Sequence, residues 1–400
     1  MGPQENILSN TELVLIELLR CFASDDSQPK LNIDSSCMDE LFSLAKKHGV
    51  IGIAAYTLNK YGLFKDDEQK DKFMHEYDRT VMNMLSREAS ALALSQKLRE
   101  LSIQHIFFKG MVVASAYPVA ALRTYGDVDI LIHPKDIKVL CEYMTSRGFA
   151  HSLADEGVVN AFFKNKEHYE FHTNLNVSNV KNTECFSAIW ENASGEDYVF
   201  EFNHNFHISY LITHLEKHVY GSGAGVRMYL DIALYINKYK EHIDLQQIRD
   251  ILSKCGLEVF LNTVLCICHK WFGLELPDWV IPLTDDVYSQ MCEFTFSGGV
   301  FGDTSADKNA ENALRQNMSK NKKNARVRFV LQRIFPSFSE LTRLYPRYSG
   351  KPYLAPVAWI NHLFRFFKDK KYDRVKVIAS ADVETAKQKK EFLESIGSIH

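Results

Sequence analysis

An α+β fold is predicted, in which a small mixed β-sheet is flanked by an N-terminal helical region and a C-terminal helical domain. Three observations point to it. Residues 1 to about 100 repeat their apolar positions with the helical period, residues between about 103 and 175 break into short apolar or alternating runs, and the helical period returns after Phe202. With 400 residues, 46% of them hydrophobic, the chain can bury a large core and should divide into more than one packed unit. The expected divisions are 1–100 for the N-terminal helices, 101–203 for the sheet core, 204–335 for the helical domain and 336–400 for a basic, aromatic-rich extension.

Ser9 and Glu12 form a capping box ahead of the apolar run Leu13 to Phe22. Ser36 with Asp39 makes a similar cap ahead of a helix from Leu41 to Lys47, which Gly49 closes. From about Asp66 to Leu101 no Pro or Gly interrupts the pattern. Phe73, Tyr77, Val81, Leu85, Ala89, Leu92 and Leu98 fall near one face there, which predicts one long helix. Strands are expected at Ile103 to Phe108 and Val128 to Ile132, with a small, helix-compatible stretch from Gly110 to Tyr117 between them. Pro134 starts a helix that runs to about Arg147, where Gly148 stops it. Further strands are expected at Phe149 to Ser152, Asn160 to Phe163 and Glu167 to Leu175. Helices follow at His204 to Tyr220, Val226 to Lys240, Leu245 to Lys254 and Glu258 to Trp271. The run from Gly221 to Gly225 lacks the Lys-Ser/Thr pair and the preceding strand of a phosphate loop, so it is read as a tight turn between helices. Gly298 to Lys323 is polar and is read as a loop.

The net charge of -3 hides an asymmetry, because Arg315 to Lys376 holds sixteen Lys and Arg against Glu340, Asp369 and Asp373. Trp359, Phe364, Phe366, Phe367 and Tyr372 interleave with that charge. A helix with a solvated basic face is the preferred reading, ahead of a nucleic-acid surface or an amphipathic membrane contact. The eight cysteines sit mostly in apolar runs without a CxxC pair and are read as buried thiols of a reducing compartment. No secretory leader pattern opens the chain, and no apolar run reaches the roughly 18 residues of a membrane span. A cytoplasmic location is expected.

The candidate chemistry centres on Gly126-Asp127-Val128-Asp129-Ile130. On a strand, Asp127 and Asp129 project to one face while Val128 points into the core. Two unpaired carboxylates 4 Å apart repel by roughly 4 kcal/mol at an effective dielectric of 20, so a strand presenting both needs a cation. Oxygen ligands favour Mg²⁺ or Mn²⁺, ions whose shells are commonly completed by substrate phosphates, which implies a nucleotide. A third carboxylate is expected on a neighbouring strand. In His168-Tyr169-Glu170-Phe171-His172 the alternation places His168, Glu170 and His172 on one face, and Glu170 is the candidate. Glu201, in Phe200-Glu201-Phe202, is its competitor. Lys109 and Gly110 end a strand where a helix begins, a turn at which a phosphate can approach backbone amides, with Lys109 neutralising it. Arg123 is a second candidate phosphate ligand with fork geometry. His214 and His218 have zinc-like spacing without an HExxH arrangement, so packing or hydrogen bonding is the preferred reading. Arg227 and Asp231 either form an i,i+4 ion pair or face the cleft, where Arg227 would contact nucleotide or acceptor. Cys266 and Cys268 are read as buried thiols.

Lys109-Gly110, Tyr117, Arg123, the Gly126 to Ile132 run, Gly148-Phe149 and Glu170-Phe171-His172 together resemble an uncharacterised bacterial nucleotidyltransferase family of the DNA polymerase β-like superfamily. His214, His218, the glycine turn, Arg227 and Asp231 extend the resemblance, which covers roughly residues 30 to 370. It implies metal-dependent transfer of a nucleoside monophosphate from an NTP to an acceptor hydroxyl, with pyrophosphate released. By that resemblance 101–203 is the catalytic core, Asp127 and Asp129 hold two Mg²⁺ ions, and Glu170 completes the metal nearer the acceptor and helps deprotonate it. Lys109, Gly110, Arg123 and Arg227 are the expected nucleotide contacts. The superfamily often has Gly-Ser or Gly-Gly at the strand-to-helix turn. Here Met111 follows Gly110, and Lys109 takes the place of the missing serine. A small molecule or glycan precursor is favoured as acceptor over nucleic acid. The alternatives are a DxD-containing glycosyltransferase and a catalytically degenerate nucleotidyltransferase fold kept as a binding or regulatory module.

Overall fold

The computed structural model describes residues 8–24, 29–30, 37–154, 159–165, 167–175, 183–221, 223–299 and, in part, 335–398. The chain divides into two compact units, Met1–Gly302 with Ile396–Ser398, and Asp303–Ser395. The first is α+β, as expected, and carries one mixed seven-stranded sheet with helices around it.

Helices α1 (Asn10–Ala23), α2 (Met38–Lys47), α3 (Ile51–Lys60) and α4 (Asp67–Glu100) lead into the sheet. The capping box on α1 forms, with the Ser9 hydroxyl accepting from Glu12 N–H and the Glu12 carboxylate accepting from Ser9 N–H. Ser36 lies outside the described residues; Cys37 stands at the start of α2 without a side-chain cap. Gly49 follows that helix with φ +68°, the left-handed conformation glycine adopts at little cost. Asp66 caps α4 through Gln69 N–H, and 34 residues at 1.5 Å each make a rod about 50 Å long.

The strands are β1 (His105–Phe108), β2 (Val128–Ile132), β3 (Ala150–Ala154), β4 (Val159–Lys164), β5 (Glu167–His172), β6 (Ala193–Glu196) and β7 (Val199–Phe202), ordered β3-β4-β5-β2-β1-β7-β6. Between them lie α5 (Gly110–Ala114) and α6 (Ile137–Ser146). β2 runs antiparallel to β1 and parallel to β5, so it lies inside the sheet. Its alternation is what places the site. Val128, Ile130 and Ile132 pack with Leu94 and Leu98 of α4 and Leu140 and Met144 of α6, joined by Tyr169 and Phe171 of β5. With a side-chain period of two, Asp129 and Glu170 project to the opposite face.

Beyond the sheet, α7 (His204–Tyr220), α8 (Val226–Lys238), α9 (Leu245–Lys254), α10 (Glu258–Phe272) and α11 (Asp285–Ser297) form the helical part of this unit, with the glycine run joining α7 to α8. Most of the predicted loop from Gly298 to Lys323 lies outside the described residues. In the second unit, α12 (Ala355–Lys368) packs Ala358 against Leu341 and Tyr348, and α13 spans Val383–Ser395. Among the described residues no helix is long and apolar enough to cross a membrane.

Candidate active site

Parallel pairing of β2 with β5 sets Asp129 directly beside Glu170, and antiparallel pairing with β1 sets Phe108 on the other side of Asp129. Asp127 stands in a bend one residue before β2 begins. All three carboxylates line one cavity of about 280 Å³. Its opposite wall is made by α7 and α8, which contribute His214, His218, Arg227 and Asp231. Glu201 is placed elsewhere: it is exposed on β7, which β1 separates from β2.

Asp129 is 3% exposed, and its Oδ1 accepts from Lys109 Nζ at 2.6 Å and from His172 Nε2 at 2.9 Å. Burial alone would raise its pKa, but the Lys109 ammonium and the His172 bond hold the carboxyl well below the usual carboxylate range. The same partnership keeps Lys109 charged: burial opposes the ammonium, and Asp129 more than offsets it. Lys109 itself has φ +56° and ψ −127°. For a residue with a Cβ this conformation costs about 1–3 kcal/mol and persists only where surrounding contacts enforce it. One such contact is a hydrogen bond from its N–H to His207 Nε2, a residue that nothing in the local pattern of α7 singled out.

Arg123 is buried at the foot of the cavity and donates to Asp231 with both prongs, Nε to Oδ1 at 3.1 Å and Nη2 to Oδ2 at 2.7 Å. Tyr117 donates its hydroxyl to the same carboxylate at 2.5 Å. A Cβ on Gly110 would stand 2.5 Å from Arg123 Nη1 and 2.8 Å from Tyr125 Cβ, so the missing side chain at this turn admits the guanidinium. Asp231 therefore serves Arg123, and Arg227, four residues before it, donates instead to the carbonyl and hydroxyl of Thr124. Burial first, and then Arg123, lower the Arg227 pKa, as befits a cation short of counter-charge. Among the described residues its Nε has no hydrogen-bond partner.

The donor set fits a divalent cation. Asp127, His168 and Glu170 converge with ligand atoms within 4.8 Å of one another, and so do Asp129, Glu170 and His172. Carboxylate oxygens dominate both groups, which suits Mg²⁺ or Mn²⁺, and the imidazole in each adds affinity for the softer of the two. His168 Nε2 lies 3.4 Å from Glu170, whose other oxygen is 3.8 Å from His172 Nε2. The alternation in His168 to His172 was the signal for this cluster. On the facing wall His214 and His218 hydrogen-bond each other through their Nε2 atoms at 3.1 Å, both held neutral chiefly by burial. Cys266 and Cys268 donate to separate carbonyls, those of Ile281 and Tyr229, as buried thiols.

Searches of curated proteins and of solved structures each found no match. A family model described as "Uncharacterised nucleotidyltransferase" matches residues 34–273, a span that takes in α2 to α10, every strand of the sheet and both walls of the cavity. On that match the chain belongs to the uncharacterised nucleotidyltransferase family.

Proposed function

We propose that the cavity binds an NTP and that the protein transfers its nucleoside monophosphate to an acceptor hydroxyl, on a fold of the DNA polymerase β-like kind. The observation that carries this reading is the convergence of Asp127, Asp129 and Glu170 on one cavity also lined by Lys109 and Arg227. Asp127, Asp129 and Glu170 would hold Mg²⁺ or Mn²⁺, which when bound polarises phosphoryl oxygens and neutralises their charge. Lys109 and Arg227 supply the protein's own positive charge toward the triphosphate. Arg227 is the stronger candidate of the two arginines, because the Arg123 fork is already committed to Asp231. Arg123 acts on nucleotide indirectly, by fixing the turn at Gly110. The acceptor oxygen attacks the α-phosphorus, the bond to pyrophosphate breaks, and Glu170 takes the hydroxyl proton. A small molecule or glycan precursor is the favoured acceptor for this partly open cavity, whose lining sets charged side chains beside Leu211, Leu215 and Ile232.

The test is incubation with each NTP, Mg²⁺ or Mn²⁺ and panels of hydroxyl-bearing acceptors, reading pyrophosphate. Release that requires the divalent ion and disappears in Asp127→Asn supports the proposal. Release of nucleoside diphosphate from a nucleotide-sugar, with none of pyrophosphate from NTPs, would overturn it.

A further inference from the structure

Among the described residues lining the cavity, Lys109 alone combines a charged side chain with a positive φ. Its N–H donates to His207 Nε2 at 3.3 Å. A peptide N–H can only donate, so Nε2 is the acceptor and the ring proton of a neutral His207 sits on Nδ1. That proton faces the Tyr235 hydroxyl, 3.0 Å away. The Tyr235 oxygen thus accepts from His207, and its own proton points to His204 Nδ1, again at 3.0 Å. Each direction follows from the one before, giving a chain of donors from Lys109 through α7 and α8. His207 is 2% exposed, and its ring meets the Tyr235 ring edge to face at 5.2 Å. Burial, with a smaller effect from His204, lowers its pKa to about 3, in keeping with the neutral form that the chain of bonds requires.

We propose that His207 and Tyr235 are positioning residues that hold Lys109 in the backbone conformation from which its amine addresses a triphosphate. The proposal rests on the NTP reading above. Without the Nε2 acceptor, Lys109 N–H loses its partner and the residue is released to an ordinary φ. Its Cα–Cβ bond then swings and the amine leaves Asp129. The helices thereby set the aim of a side chain that the sheet supplies.

The experiment is calorimetric titration of the full chain with α,β-methylene NTPs in the presence of Mg²⁺, carrying forward the tightest, with the matching NMP as control. Lys109→Met and His207→Ala should each weaken the analogue about tenfold and leave the NMP unchanged, and the double variant should bind no more weakly than Lys109→Met. His207→Gln, whose Oε1 can accept in place of Nε2, should recover binding to within about threefold of wild type, and Tyr235→Phe should fall between. Additive losses in the double variant, or equal losses for analogue and NMP, would make His207 a packing residue and overturn the proposal. Should His207→Ala fail to fold, a Tyr235→Phe protein that binds the analogue like wild type overturns it equally. Lys109→Met binding like wild type would instead remove Lys109 from the NTP reading itself. A weakened Lys109→Met beside an unaffected His207→Ala would overturn the positioning alone.

Discussion

On the sheet wall of the cavity, Asp129 and Glu170 come from adjacent strands and face each other through one register, with Asp127 two residues away from the first. On the helix wall the key partnership, Arg123 with Asp231, joins residues 108 apart. The sheet wall gathers like charges, relieved within the chain chiefly by Lys109 on Asp129. On the helix wall Asp231 is closed by Arg123, while Arg227 donates to the neutral Thr124. Carboxylates drawn onto one cavity mark a place where an ion or substrate is expected to add to the balance that Lys109 gives Asp129, whereas the Arg123–Asp231 pair, closed on itself, is a brace.

Asp127→Asn should lower kcat/KM for pyrophosphate release by about 10³-fold, near 4 kcal/mol of transition-state stabilisation, while leaving the unfolding midpoint almost unchanged. The loss is read in steady-state kinetics, the midpoint in a thermal melt. A variant that loses both together would place Asp127 among the braces.

On the other wall the prediction reverses. Asp231→Ala leaves the Arg123 guanidinium buried without its carboxylate, and breaking a buried pair from one side costs about 3 kcal/mol or somewhat more. Urea denaturation measures it. Stability within about 0.5 kcal/mol of wild type would mean that solvent or another residue already compensates the arginine, and the helix wall would lose its standing as a brace.

The difference between the walls is also why one was legible in the sequence and the other was not. Asp127-Val128-Asp129 and His168 to His172 announce their faces through a period of two, which needs no knowledge of distant chain. The same holds for the Ser9 cap and the helix α9, whose signals are local; α4 was legible as a helix but its face was not, since Leu85 and Leu92 are exposed while Thr80, Met84 and Ala91 are buried. Arg227 and Asp231 sit four apart on α8, and local spacing suggested that they pair. The fold gave Asp231 to Arg123 and Tyr117 instead, a choice made by packing across the chain. His207 was invisible for a related reason, since its role depends on a backbone N–H from β1's end. The β6–β7 hairpin was missed on different grounds. Its turn residues Asp197 and Tyr198 both have positive φ, a conformation that tight hairpins usually signal with Asn-Gly or Asp-Gly, and tyrosine gives no such signal.

A third prediction uses pH. His48 Nδ1 accepts from Val226 N–H at the start of α8, and burial, reinforced by Lys47, lowers its pKa to about 4. Unfolded, it would titrate near 6.5, so below that pH the unfolded chain binds more protons than the folded one. The contribution of His48 is present in full above pH 6.5 and is lost as pH falls toward 4. Between pH 7 and 5 it should amount to about 2 kcal/mol, measured as the change in urea stability. His48→Asn, which keeps an acceptor but cannot titrate, should flatten the pH dependence by that amount. The buried His207 and His218 carry shifts of the same sign, so some slope will persist in the variant.

The smallest expected effect probes how much of the brace is the ion pair alone. Tyr117 adds a hydroxyl to Asp231 that makes no salt bridge, and Tyr117→Phe removes one hydrogen bond to a charged acceptor while preserving the ring. Such a deletion should cost about 1.5 kcal/mol, the low end for a bond to a charged group and less than the loss of Asp231 itself, because Arg123 continues to satisfy the carboxylate. The double variant Tyr117→Phe, Asp231→Ala should be little less stable than Asp231→Ala, since the hydroxyl then has no acceptor left to lose. Full additivity of the two losses would show that the Tyr117 hydroxyl contributes through a partner other than Asp231. Kinetics add a second reading. If Tyr117→Phe weakened pyrophosphate release as strongly as Asp127→Asn, the brace would have to transmit to the nucleotide site directly, and the separation of the two walls into chemistry and support would fail.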